Sequence, residues 1–198
     1  MPDPLIVTLL LDDDAQERFD RLRAAHFAAR RGPAGSGRFR LAAHVTLFHA
    51  LPGVELAEVR GALAAAAVRH PFDVAVTGVG MLGRGVALDL ESPELTALRG
   101  TLAERFRPWL TRQDRQWRRP HVTVQNKVEP AVARALHAEL DAAFRPETVT
   151  ARGLALWHYR GGPWDPEAEF PFRGEPVADA VDRLGARENG NTGTTPVR

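Results

Sequence analysis

The chain has 198 residues, enough for one domain with a sizeable core or two closely packed lobes. It contains no cysteine, which excludes disulfides, thiol nucleophiles and thiolate metal sites, and its formal charge of +1 excludes a polyanion-binding surface spread over the whole molecule while leaving room for a local basic cleft. Lysine occurs once, at Lys127, and the arginine bias, with the abundance of alanine, reads as genome composition.

Residues 4–12 form an apolar run ending in Asp12-Asp13-Asp14, which predicts a buried strand followed by a helix cap. The run is too short to span a bilayer and no basic stretch precedes it, so a cytoplasmic protein is expected. From Asp14 to about Arg30, Phe19, Leu22 and Phe27 recur at helical spacing, and residues 32–43, rich in Gly, Pro and Ser, read as a loop. His44-Val45-Thr46-Leu47-Phe48 then reads as a strand, with His44, Thr46 and Phe48 expected on one face and Val45, Leu47 and His49 on the other. A helix over 54–69 and a strand over 72–82 follow, and Gly83-Arg84-Gly85 makes a turn.

The plan then repeats: strand 86–91, helix 93–107, a loop, His121-Val122-Thr123-Val124-Gln125 as a strand, helix 130–144 and strand 147–159. Pro93 and Pro130 stand where a first helical turn accepts proline. In the second motif strand His121, Thr123, Gln125 and Lys127 are expected on one face. Residues 160–173 read as a closing edge segment, and 174–198, polar and rich in Gly, Asn and Thr, as a disordered tail.

A single His-x-Thr is a weak signal, because a half-buried strand histidine is usually a core residue. Two copies 77 residues apart, in matching contexts, supply two imidazoles for proton transfer and two hydroxyls for phosphate oxygens. These paired tetrapeptides, HVTL and HVTV, resemble the signatures of the two-histidine phosphoesterases, the 2′-5′ RNA ligase superfamily, over roughly residues 4–173. The resemblance implies an α+β fold of two pseudo-symmetric lobes, each a mostly antiparallel sheet with outer helices, facing each other across a central cleft. The repeats would span about 4–82 and 85–159 of one bilobal domain.

It also implies metal-independent phosphodiester chemistry with no cofactor, on nucleotides or RNA ends carrying 2′,3′-cyclic phosphates, with reversible 2′-5′ ligation as a related activity. The sequence is in keeping with this, since no His-Glu-x-x-His occurs and no acidic residue adjoins either motif. His44 and His121 are the expected acid–base pair and Thr46 and Thr123 the phosphate-holding hydroxyls. The pattern leaves the division of roles open, with a preference for His121 as base and His44 as acid.

Phe48, Gln125, Arg119 and Tyr159 are candidate substrate contacts, and Arg38, Arg40, Arg112, Arg115 and Arg118 stand near the motifs as further phosphate-binding candidates. Trp157, His158, Tyr159 and Trp164 are read first as core closure and second as a stacking wall. His26, His49, His70 and His137 are assigned structural or surface places. A monomer without an obligate partner is expected. The competing readings are a nucleotide- or RNA-binding module without turnover and a metallohydrolase.

Overall fold

The computed structural model describes residues 2–27, 30–31, 38–39, 41–117 and 119–174. The predicted tail after Gly174, most of the glycine-rich loop, and Arg40 and Arg118 lie outside the described residues, as does the side chain of Arg38.

β1 (Leu5–Leu11) is apolar throughout because it is paired along both edges, with Leu5, Val7, Leu9 and Leu11 in the core. Asp12 ends it and starts α1 (Asp13–His26): one carboxylate oxygen accepts from the Ala15 amide at 2.8 Å, and the other from the Thr150 amide at 2.7 Å. One side chain therefore caps a helix and ties it to a distant strand. Burial alone would raise the pKa of Asp12, but these two amide bonds and nearby Arg18 hold it below the usual carboxylate range.

A two-residue pair, β2 (Arg30–Arg31) with β3 (Arg38–Phe39), precedes β4 (Val45–Leu51), the first motif strand. Next come a 3-10 turn at Gly53–Glu55, α2 (Leu56–Ala66) and β5 (Phe72–Met81). The second half brings β6 (Val86–Glu91) and α3 (Pro93–Arg105), the latter capped by Ser92 with Pro93 in its first turn. A short helix, α4 (Arg112–Arg115), occupies what the sequence presents as loop, started by the Thr111 hydroxyl, which accepts from the Asp114 amide at 3.1 Å. β7 (His121–Gln125), α5 (Pro130–Ala143), β8 (Glu147–Tyr159) and β9 (Trp164–Pro171) complete the order.

Every strand pairing is antiparallel, and the protein is α+β. The large sheet runs β1-β4-β7-β6-β5-β8-β9, and an additional β1–β8 pairing closes the circuit. Long β8 makes this possible: residues 147–151 pair with β5, and residues from Ala151 to His158 pair with β1. The last strand of each sequence half thus pairs into the other half, β5 onto β6 and β8 onto β1. The two motif strands meet through a single register pair, Val45 with Val122. α1 packs over β7, and α5 over β5 and β6.

Candidate active site

The backbone places the two motifs before any side chain is considered. One antiparallel step to either side of the Val45–Val122 pair sets His44 opposite Thr123 and His121 opposite Thr46, a crossed quartet. The two valines are buried in the core, and all four polar side chains line one cleft of roughly 940 Å³. That volume suits a nucleotide-sized ligand.

Both histidines are anchored in the same way. Nδ1 of His44 lies 2.7 Å from the Ala42 carbonyl, and Nδ1 of His121 lies 3.2 Å from the Arg119 carbonyl, in each case two residues upstream. A carbonyl only accepts, so each Nδ1 carries the proton and each Nε2 is left for the cleft. Their surroundings differ, however. The Trp164 ring lies 4.5 Å from the His44 ring, and burial pushes the His44 pKa down from 6.5 to about 4, with nearby Arg23, His121 and His49 acting in the same direction. His44 is therefore neutral near pH 7, a state suited to accepting a proton, whereas the sequence preference gives it the role of acid.

Two expected contacts are corrected by the strands themselves. Val7 pairs with Phe48 while Thr8 pairs with Thr46, so Leu47 is an extra residue and β4 bulges. In β7 the same thing happens at Val124, since Val86 pairs with Gln125 and Ala87 with Thr123. Each bulge reverses the alternation just after its motif. Phe48 turns inward to 0 % exposure, edge-on to Phe106 at 5.2 Å, and is a core residue rather than a substrate contact. Gln125 is likewise turned in, at 7 % exposure, and its side-chain carbonyl oxygen has no hydrogen-bond partner among the described residues. The residues that follow, His49 and Asn126, face the cleft in their place. Lys127 stands at φ 59°, in the turn that ends the strand.

The other candidates divide. Arg119 and Tyr159 line the cleft, and Arg119 lies 3.7 Å from Asp89. Asp89 stands opposite His121 on β6, so an acidic residue does adjoin the second motif in space although none does in sequence. Gly80 leaves room for that carboxylate, since a Cβ there would sit 2.6 Å from it. Of the aromatic group, Trp164 and Tyr159 reach the cleft, whereas the Trp157 indole donates to the Thr8 hydroxyl at 2.9 Å and His158 is paired with Glu167 at 3.0 Å. Arg112 and Arg115 are not among the lining residues.

Sequence reading missed three participants. Arg23 of α1, buried, donates to the Leu41 carbonyl at 2.8 Å and to the Thr123 carbonyl, joining the approaches to both motifs. Trp117 donates from its indole to the Thr46 carbonyl at 3.2 Å. Asp114, at 0 % exposure, accepts from the His49 amide at 2.8 Å, the His49 Nδ1 at 3.1 Å and the Thr111 hydroxyl at 2.8 Å. Burial would raise the pKa of Asp114, but the bonds from His49 and Thr111 outweigh it and hold the carboxyl below its ordinary value. None of these contacts has a local signal, since each partner is distant in the chain or belongs to a short helix. Among the described residues no three His, Asp or Glu side chains gather in a way that would hold a metal ion.

A family model of the 2′-5′ RNA ligase superfamily matches residues 11–163, most of the chain and both motifs. The chain belongs to the 2′-5′ RNA ligase superfamily. Membership supports a phosphoesterase or RNA-processing role, and solved structures agree on the fold. The superfamily chain is similar to TT0787 of Thermus thermophilus, with 16 % identity, TM-score 0.55, and coverage of 87 % of this chain and 100 % of that one. It is also similar to E. coli LigT complexed with 3′-AMP, with 21 % identity, TM-score 0.52, and coverage of 87 % and 99 %. A structure described as a phosphoesterase aligns with 20 % identity, TM-score 0.52, and coverage of 87 % and 99 %. No curated protein sequence matches this superfamily member.

Proposed function

We propose that the protein is a metal-independent phosphodiesterase that opens 2′,3′-cyclic phosphates of nucleotides or RNA ends to 2′-phosphates, with reversible 2′-5′ ligation as the related reaction. The observation that carries this reading is the crossed quartet, with both Nε2 atoms left for the cleft by backbone-fixed tautomers. Neutral His44 takes a proton from water as its oxygen bonds to phosphorus. The bond from phosphorus to the 3′ oxygen breaks, and that oxygen receives a proton from Nε2 of His121, which enters this step as the imidazolium, its Nδ1–H still on the Arg119 carbonyl. Thr46 and Thr123 hold the non-bridging oxygens, where charge develops. Nucleotides as ligands are in keeping with the 3′-AMP complex of similarly folded LigT.

The test is hydrolysis of 2′,3′-cyclic nucleoside monophosphates in the presence of chelator. His44→Ala and His121→Ala should each lower kcat by about 10²–10⁴-fold with the fold retained. Full activity in either variant rejects the assignment, and loss of native turnover on chelation would point to metal catalysis. Nucleotide binding without turnover of any phosphodiester would leave a binding module.

A further inference from the structure

The proton-transfer pair occupies the middle of the cleft, and the bulge in β4 adds a third histidine beside it. His49 is half-buried, lines the cleft and is held at Nδ1 by Asp114. Asp114 does not depend on the imidazole, because its carboxylate already accepts from the His49 amide and the Thr111 hydroxyl. With Nδ1 fixed, the ring presents Nε2 as its remaining polar atom.

Around it stand Gln113 and Gln116, three apart and so on one side of the α4 turn, and Trp117. The Arg99 guanidinium, 5.1 Å from the Trp117 ring, and the bond to the Thr46 carbonyl fix the indole. Among the described residues, the arginines lining the cleft are Arg23, bound to the Thr123 carbonyl, and Arg119, paired with Asp89, so neither belongs to this group. Arg99 is buried and donates to the Asp114 carbonyl, so the groups that the described residues offer the cleft here are two amides, an oriented imidazole and an indole, which match a flat ring with hydrogen-bonding edges better than a second phosphate.

We propose that His49, fixed by Asp114, and its neighbours Gln113, Gln116 and Trp117 form a nucleobase-reading subsite beside the histidine pair, with His49 as a specificity-determining residue. This rests on the phosphodiesterase reading for the position of the phosphate. Nε2 of His49 bonds the edge of the base, so the subsite ranks substrates by base without taking part in bond cleavage.

The experiment measures kcat and KM for the four 2′,3′-cyclic nucleoside monophosphates, and calorimetric binding of the four 3′-nucleoside monophosphates, for the native protein, His49→Ala and Gln113→Ala. The native protein should prefer one base by about tenfold, and His49→Ala should flatten that ranking through KM more than through kcat. Gln113→Ala, on an exposed helical turn, should weaken the same preference with no change in melting temperature. A histidine serving only to latch α4 onto β4 would lower the melting temperature and leave the ranking intact, and that result overturns the inference. So does a native protein indifferent to the base. If no cyclic nucleotide is turned over, the phosphodiesterase reading fails separately, and the binding data decide: base-dependent affinity lost in His49→Ala upholds the subsite, while equal affinities or no binding reject it.

Discussion

A histidine kept neutral by its surroundings leaves a mark on stability as well as on catalysis. His44, beside Trp164, has its pKa lowered from 6.5 to about 4, so between those values the unfolded chain binds a proton that the folded protein refuses. Its contribution to stability is fully present above pH 6.5 and is lost progressively as pH falls toward 4. Urea titrations across this range should show a native stability loss larger than that of His44→Gln, which has no imidazole to protonate. Parallel pH dependences in the two proteins would refute the assignment. The same shift should place the acidic limb of kcat/KM nearer pH 4 than 6.5.

At the scale of elements, the two bulges decide which residues reach the cleft. Strict alternation correctly places His44, Thr46, His121 and Thr123, because no extra residue intervenes within either motif. It fails one step later, where Leu47 and Val124 are inserted, and the failure sends Phe48 to the core and His49 to the cleft. Such an insertion is defined by the register of the neighbouring strand, β1 or β6, and so is invisible in the motif itself. The apolar run of β1, the cap at Asp12 and the prolines opening α3 and α5 were legible because each acts within a few residues. Phe48→Ala should cost about 3–5 kcal/mol of stability by opening a cavity against Phe106 and Arg99. Phe48→Leu should fold and retain KM for every nucleotide. A selective rise in KM in Phe48→Leu, at unchanged stability, would return Phe48 to the substrate.

For the molecule as a whole, the exchange of the last strand of each half matters more than the repeat visible in the sequence. The element order suggests two self-contained halves, but β5 finds its partners in β6 and β8, both from the second half, and β1 takes one of its own from β8. Order along the chain does not encode that choice, since an antiparallel partner can lie on either side of a turn. Fragments 1–84 and 85–198, expressed separately, should each lack cooperative unfolding, and mixing them should restore it as a one-to-one complex. Cooperative unfolding of either fragment alone would show that the exchanged pairings are dispensable.

The exchange also bears on ancestry. If the two halves descend from one shorter polypeptide, that polypeptide could satisfy its strands only by trading them with a second copy of itself. The meeting of Val45 and Val122 would then mark an old interface between two chains, each bringing one histidine. Fusion of the two copies into one chain would then have freed the two imidazoles to diverge, and the burial that sets His44 apart is of the kind a symmetric pair could not have developed on one side alone.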